Sequence, residues 1–132
     1  MISTRGRYAL RVMIDLAKNG EGGFIPMKDV ADRQGISLKY LEQILPVLSK
    51  NELVEAVHGK GGGYRLAKAP EDIKVGEILR LTEKELAPVA CLAEGSVTCE
   101  RAPECATIGF WKEYNEVINN FLDGKNLKDF LV

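Results

Sequence analysis

The sequence is poor in the residues that most catalytic and disulfide-stabilised proteins depend on. It has one histidine, His58, and no nucleotide-binding motif, so we expect neither an enzyme nor a small-molecule substrate. No run approaches the ~20 consecutive apolar residues of a membrane span, and the N-terminus lacks the pattern of a signal peptide. Three cysteines are an odd number, which argues against a self-contained disulfide framework. These absences favour a cytoplasmic protein with no membrane partner.

Charge is divided unevenly between the two halves of the chain, although the net charge is only −1. Residues 1–68 hold 11 Lys and Arg against 7 Asp and Glu, whereas residues 69–132 hold 7 against 12. A basic first half followed by an acidic second half suits a DNA-binding region joined to a region for sensing and assembly. Chance clustering of surface charge is the alternative explanation.

Residues 27–66 have the pattern of a winged helix-turn-helix. Gly35 separates two predicted helices, and glycine tolerates the positive φ that such a sharp turn requires. Ser37 stands at the N-cap position of the second helix. That helix has an apolar stripe at i, i+3, i+4 and i+7, formed by Leu41, Ile44, Leu45 and Leu48. A strand over 53–57, a glycine-rich tip and a return strand over 64–66 predict the hairpin called the wing.

Candidate DNA contacts lie on three parts of this first half. The polar face of the second helix has side chains long enough to reach base edges in a major groove. The glycine-rich wing tip suits a minor groove or backbone phosphates, and the start of the first helix is also basic. The candidates are Lys39, Tyr40, Glu42 and Gln43 on the helix, His58 and Lys60 on the wing, and Arg5 and Arg7 on the first helix. Solvated surface side chains are the alternative, but the hairpin after the helix favours double-stranded DNA.

The remaining elements follow from periodicity and from helix-ending residues. We expect a first helix from about residue 4 to 18, a short strand at 24–25, a helix over 75–81 and a loop from 91 to 105. The longest predicted helix, 108–122, has apolar residues at helical spacing, namely Ile108, Trp111, Tyr114, Val117, Ile118, Phe121 and Leu122. It can pack on its own domain or pair with a symmetry mate. We expect a homodimer, because helix-turn-helix proteins usually recognise two half-sites.

These predictions give a mainly α fold with a small β wing and a long C-terminal dimerisation helix. We divide the chain into a winged helix-turn-helix DNA-binding region, 1–82, and a region with the cysteine-bearing sensor loop and dimerisation helix, 83–132. The two regions are expected to form one compact structural unit.

The three cysteines, Cys91, Cys99 and Cys105, all fall in the predicted loop. Thiolates suit iron–sulfur clusters and zinc, but structural zinc normally uses short paired C-x₂₋₄-C spacings, which are absent here. An iron–sulfur cluster therefore fits better. A fourth ligand would come from a weaker donor, with Glu94, Glu100, Glu104 or a partner chain as candidates. Reduced thiols without metal and a thiol redox switch are the alternatives, and an electron-transfer protein would leave the wing without a purpose.

Several stretches, in order, match one known family: residues 3–10, 34–44, 61–66 and 75–78, followed by three cysteines before a tryptophan-bearing helix. The chain resembles the iron–sulfur-cluster regulator (IscR-type) family of bacterial winged-helix repressors. The resemblance implies a homodimer with crossing long helices, a recognition helix in the major groove and a wing in the minor groove. It implies base contacts by Glu42 and Gln43 beside Lys39, and a [2Fe–2S] or [4Fe–4S] cluster on the three cysteines. The implied signals are iron, oxygen, nitric oxide or redox state.

The chain departs from the family pattern at three positions. Ile108 stands where the best-known cluster regulator has a histidine, and Arg7 stands at about the place where the nitric-oxide sensor has an Asp ligand. His58 replaces a wing arginine. The fourth ligand and the cluster type are therefore unassigned. Some relatives regulate without the cysteines, so a cluster-free regulator that uses them as a thiol switch or partner surface is the alternative function.

Overall fold

The computed structural model describes residues 1–93 and 102–131 of the chain. These residues form α1 (Thr4–Asn19), α2 (Met27–Gln34), α3 (Leu38–Lys50), β1 (Val54–Val57), β2 (Gly63–Leu66), α4 (Val75–Thr82) and α5 (Ile108–Asp123). The mainly helical architecture with one small antiparallel sheet confirms the expected fold class. Among the described residues, no helix is both long and apolar enough to cross a membrane.

The predicted helix-turn-helix is present as α2, a tight turn and α3. Gly35 ends α2 in the left-handed conformation, with φ 64° and ψ 35°, which glycine adopts without a steric penalty. The Ser37 hydroxyl accepts a hydrogen bond from the Tyr40 amide at 3.1 Å and so caps α3. In the same way, the Ser3 hydroxyl accepts from the Gly6 amide at 3.1 Å and caps α1. Local sequence signals therefore set the start of both helices.

One apolar core joins the helices to the base of the wing. The predicted stripe of α3 is confirmed, since Leu41, Ile44, Leu45 and Leu48 are buried. It packs in the same cluster as Val12 and Met13 of α1 and as Ile78 of α4. The cluster also includes Leu127, which follows α5 along the chain and is fully buried. Burying side chains of this size stabilises the fold by about 1.5–3 kcal/mol each.

The hairpin differs in detail from the sequence prediction. Its strands pair antiparallel with Val54 opposite Leu66 and Val57 opposite Gly63. The first strand begins at Val54 and not at residue 53, because the Leu53 amide donates to the Leu48 carbonyl at the end of α3. The predicted strand at 24–25 is wrong as an independent element. It is reduced to an isolated bridge between Ile25 and Tyr64, because the next residue is a proline that has no amide to extend the pairing.

An ion pair between a buried carboxylate and an exposed arginine fixes α1 against the end of α2. Asp15 is only 2% exposed, and its carboxylate accepts from Arg33 Nη2 at 2.7 Å, Arg33 Nε at 3.0 Å and Gln34 Nε2 at 2.9 Å. Burial alone would raise the pKa of Asp15, but the hydrogen bonds from Arg33 and Gln34 outweigh it and hold that pKa below its ordinary value. The first helix of the helix-turn-helix, α2, is therefore held against α1 by a charged contact.

Candidate nucleic-acid interface and cysteine segment

The outer face of α3 is exposed and polar. Lys39, Glu42 and Gln43 are exposed, while the opposite side of the helix is buried in the core. Tyr40 is different, because it is half-buried and its ring lies edge-on to Tyr8 of α1 at a centroid distance of 5.3 Å. The predicted recognition face thus contains three freely exposed polar side chains and one tyrosine that also contacts α1.

The wing tip exposes both predicted contacts, His58 and Lys60. Gly59 and Gly61 have φ values of 94° and 79°, so this turn uses conformations that L side chains rarely adopt. At the base of the wing, Arg65 Nε donates to Glu55 Oε2 at 2.9 Å, and the Arg65 guanidinium lies 4.3 Å from the centroid of the Phe24 ring. The tip is glycine-rich and the base is held by side-chain contacts, so the direction of the wing is set at its base.

The predicted basic residues of α1 are exposed as well. Arg5 is exposed, and exposed Arg7 donates through Nη2 to the Thr4 hydroxyl at 3.2 Å. Arg11, one turn further on, bonds to Gln34, whose side-chain oxygen lies 3.2 Å from Arg11 Nε. The Arg11 guanidinium also lies 5.3 Å from the centroid of the Tyr8 ring. Arg5 and Arg7 are thus available to phosphates, whereas Arg11 also connects α1 to the helix-turn-helix.

Two of the three cysteines fall within the described residues. Exposed Cys91 lies in a short 3₁₀ turn, Ala90–Leu92, and half-buried Cys105 precedes α5. The Cys105 thiol lies 3.5 Å from the Thr107 hydroxyl. That contact, together with the backbone amides of Thr107 and Ile108, lowers the pKa of Cys105. A lowered pKa favours the thiolate, which is the form that binds metals.

The remaining predicted ligands are only partly placed. Cys99, Glu94 and Glu100 lie outside the described residues, and Glu104 is exposed in a 3₁₀ turn, Ala102–Glu104. Within residues 1–93 and 102–131, no three His, Cys, Asp or Glu side chains converge as a metal site. The donor chemistry of Cys91 and Cys105 nevertheless fits a thiolate-bound metal group, since such a group requires soft sulfur ligands.

The predicted long helix is confirmed as α5, and one of its faces is apolar and exposed. Phe110, Tyr114, Val117 and Phe121 are 60%, 47%, 63% and 62% exposed. Trp111, Ile118 and Leu122 are half-buried on another side of the helix, where they line a groove with Leu79 of α4. None of the 16 residues of this fully described helix is buried. Such a contiguous exposed apolar face is typical of an interaction surface.

The C-terminal half of α5 is held to α4 by charge. Arg80 Nη1 donates to Asp123 Oδ1 at 2.6 Å, and Arg80 Nη2 donates to Asn119 Oδ1 at 2.9 Å. The hydrogen bond and the charge of Arg80 lower the pKa of Asp123. This contact turns the half-buried side of α5 toward α4 and leaves the apolar face outward.

Known proteins of one family match this chain over nearly its whole length. The profile of the Rrf2 family, described as an iron-dependent transcriptional regulator, matches residues 2–132. This chain belongs to the Rrf2 family. It is 38% identical over 130 residues to the HTH-type transcriptional regulator IscR of Klebsiella pneumoniae (strain 342), covering 98% of this chain and 78% of that protein. The sequence resemblance to the IscR-type family is thus confirmed.

Solved structures of the Rrf2 family superimpose on nearly the whole chain. IscR of T. potens matches with a TM-score of 0.79 and 38% identity over 99% of this chain and 85% of that one. CymR, described as the global cysteine regulator of B. subtilis, matches with a TM-score of 0.80 and 34% identity over 99% of this chain and 95% of that one. This Rrf2 protein is therefore a winged-helix transcriptional regulator of the IscR type that binds DNA, and it is not an enzyme.

Two contacts that hold α1 in place beside the candidate DNA-binding surface were not predicted from the sequence. Asp15 had a detectable signal, since it lies between apolar residues of the predicted first helix and a carboxylate buried there requires a partner. Glu83, at the end of α4, had none. Its Oε1 accepts from the Ser3 amide at 2.9 Å and from the Ser3 hydroxyl at 2.8 Å, and this partner is 80 residues away in sequence.

Proposed function

We propose that this Rrf2 protein is a homodimeric cytoplasmic transcription regulator that binds a double-stranded DNA operator and senses iron, oxygen, nitric oxide or redox state through an iron–sulfur cluster. Residues 1–82 serve DNA binding, and residues 83–132 serve sensing and dimerisation. The observation that carries the DNA-binding part is the face of α3, where exposed polar side chains stand directly opposite a buried apolar stripe.

In this proposal α3 enters the major groove. Glu42 and Gln43 contact base edges, because amide and carboxylate side chains match the donor and acceptor patterns of adenine and cytosine. Lys39 adds a contact beside them, and Tyr40 contacts DNA with the part of its side chain that Tyr8 leaves open. Lys60 and His58 approach the minor groove or its phosphates from the wing. Arg5 and Arg7 contact backbone phosphates, which fix orientation and carry no sequence information.

The exposed apolar face of α5 supports the homodimer. Phe110, Tyr114, Val117 and Phe121 would be covered by a second copy of this helix. A twofold dimer presents two α3 helices to two half-sites, so the geometry of α5 sets the spacing of DNA contacts. No residue of α5 is buried within the chain itself, which leaves this face available to a partner.

The cysteines support the sensing part of the proposal. Cys91, Cys99 and Cys105 would hold a [2Fe–2S] or [4Fe–4S] cluster, and the fourth ligand is a residue still to be assigned, on this chain or on its partner. The cluster would supply chemistry sensitive to oxidation, nitric oxide and iron supply. In this chain, the contact with the Thr107 hydroxyl lowers the pKa of Cys105, which favours the thiolate directly before α5. The lowered pKa of Cys105 also suits the alternative, a metal-free thiol switch.

The decisive measurement is iron and acid-labile sulfide per chain after purification without oxygen. We expect both in the wild type and neither after Cys91→Ala, Cys99→Ala or Cys105→Ala. Gel shifts then compare cluster-loaded and cluster-free protein, and we expect different operator affinities. A colourless anoxic preparation that still binds operators would refute the cluster and support the thiol switch. Equal affinity in both states would refute sensing and leave DNA binding intact.

A further inference from the structure

Hydrogen bonds between Ser3 and Glu83 join the N-terminus of α1 to the start of residues 83–105, which we call the cysteine-bearing segment. Glu83 Oε1 accepts hydrogen bonds from both the Ser3 amide and the Ser3 hydroxyl, at 2.9 and 2.8 Å. The same hydroxyl caps α1 by accepting from the Gly6 amide. Glu83 is also the residue that ends α4, eight residues before Cys91. We call this set of hydrogen bonds the Glu83 clamp.

The charge of Glu83 suits this position. The first turn of α1 has no acidic residue of its own. Unpaired amides at a helix N-terminus give it partial positive charge, which a nearby carboxylate stabilises. Arg5 and Arg7 add positive charge to the same end of the helix. Glu83, 80 residues beyond Ser3 in sequence, therefore supplies the carboxylate that the first turn of α1 lacks.

Gly6 leaves the space that Glu83 occupies. Gly6 is buried within α1, and a Cβ at this position would collide with Glu83 Oε1 and approach Ile2 Cγ2 at 3.2 Å. Glycine inside a helix is normally unfavourable relative to alanine. Its presence here has a local reason, since the smallest residue is needed for the carboxylate to reach the helix end.

From α1 the contacts continue to the recognition helix. The Tyr8 ring, two residues after Gly6, lies edge-on to Tyr40 of α3 at a centroid distance of 5.3 Å. Arg11, on the next turn, bonds to Gln34 at the end of α2. A shift of the α1 N-terminus would therefore alter the support of both helices of the helix-turn-helix.

We infer that Glu83 is a positioning residue that transmits changes in the cysteine-bearing segment to the DNA-binding helices through the N-terminus of α1. This inference rests on the proposed DNA-binding and sensing function. It assigns the connection to one carboxylate that is neither a proposed DNA contact nor a proposed cluster ligand. Loss of the clamp uncouples the cysteine-bearing segment from the DNA-binding helices. The cysteines still bind the cluster, and the helices still bind DNA.

The first test measures coupling. The probe is a fluorescein-labelled duplex selected from a random pool by the wild-type protein, and its affinity is measured for cluster-free protein and for protein reconstituted with iron and sulfide. We expect the two wild-type affinities to differ by about fivefold or more. Glu83→Ala should reduce the difference to less than about twofold at unchanged iron and sulfide content, whereas Glu83→Gln, which keeps an acceptor oxygen for Ser3, should retain most of it.

Glu85→Ala is the matched control. Glu85 is a nearby exposed acid whose Oε1 accepts from the Ala87 amide, two residues on in the same segment. It should leave the affinity difference at its wild-type size. If Glu83→Ala weakens both states equally and preserves their ratio, Glu83 is merely structural and the inference is overturned.

A second test uses cluster-free protein and needs no DNA. Hydrogen–deuterium exchange should become faster in Glu83→Ala both at residues 4–9 and at residues 84–92, because each segment loses its partner. A wild-type protein with no affinity difference would refute the sensing function, a result distinct from failure of the clamp. In that case exchange decides: acceleration in both segments supports the clamp, and acceleration in one or neither overturns it.

Gly6→Ala provides a variant in which Glu83 remains present. Helix propensity alone predicts a more stable α1, whereas the clamp predicts displacement of the Glu83 carboxylate. We expect Gly6→Ala to reproduce the exchange pattern and the lost affinity ratio of Glu83→Ala. Gly109→Ala, at a helical glycine of α5 with open space around it, should not. Wild-type exchange and affinity ratio in Gly6→Ala would overturn the inference.

Discussion

Asp15 and Arg33 form a two-pronged ion pair that joins α1 to α2 at the back of the helix-turn-helix. The carboxylate is 2% exposed and the guanidinium 39% exposed, with contacts of 2.7 and 3.0 Å. One partner is therefore deeply buried while the other remains in contact with water. The pair therefore holds the C-terminal end of α2 against α1.

Asp15→Asn should destabilise the fold by about 1–2 kcal/mol at neutral pH. This is the range for hydrogen bonds to charged groups, reduced because water screens the exposed Arg33. Since the pKa of Asp15 is lowered in the folded state, its contribution is complete above the unfolded pKa of ~3.9 and is lost as pH falls through the folded pKa. The difference in the free energy of unfolding between the wild type and Asp15→Asn should thus disappear at strongly acidic pH.

Urea unfolding at pH 7 and at pH 3 checks this prediction. Asp32→Asn, an exposed carboxylate on α2, is the matched control and should cost less than about 0.5 kcal/mol. A constant difference between wild type and Asp15→Asn at both pH values would contradict the role of the charge.

Lys60→Ala should weaken binding to all DNA sequences by similar factors. A wing-tip lysine that neutralises one phosphate contributes about 0.9 to the slope of log affinity against log salt, so a dimer should lose about twice that. Fluorescence anisotropy between 50 and 200 mM salt measures the slope. Lys128→Ala, an exposed lysine after α5, should leave it unchanged. An unaltered slope in Lys60→Ala would remove the wing tip from the phosphate contacts.

Gln43→Ala should relax discrimination at particular base pairs and leave the salt slope nearly unchanged. A bidentate amide contact to a base contributes about 1–3 kcal/mol of discrimination. Selection from a random duplex pool, followed by sequencing, compares the base preferences of the wild type and of Gln43→Ala. If the variant selects the same motif as the wild type, Gln43 does not contact bases.

Val117→Asp should convert the protein to monomer. Val117 is 63% exposed on the apolar face of α5, and burial of an unpaired carboxylate in an interface is costly. Asn120→Asp adds the same charge at another exposed position of α5 and should remain dimeric. Sedimentation velocity distinguishes the two variants. A dimeric Val117→Asp protein would place the interface elsewhere.

Local sequence signals accounted for much of the fold. Ser3 and Ser37 cap their helices, Gly35 makes the turn, and the α3 stripe is buried, because capping, positive φ and helical periodicity depend on neighbouring residues. The strand expected at 24–25 was wrong, because its pairing depends on Tyr64, some 40 residues further along the chain. The assignments of DNA contacts and cysteine ligands remain predictions.

The sequence by itself determined the helix-turn-helix, the wing and the family, since these reside in short-range patterns and ordered motifs. Only the tertiary structure decided which charged groups meet. Asp15 of α1 pairs with Arg33 of α2, and Glu83 bonds to Ser3, 80 residues away in sequence. Such contacts depend on how the helices pack around the common core. No local pattern in the chain indicates which residues, far apart in sequence, will come into contact.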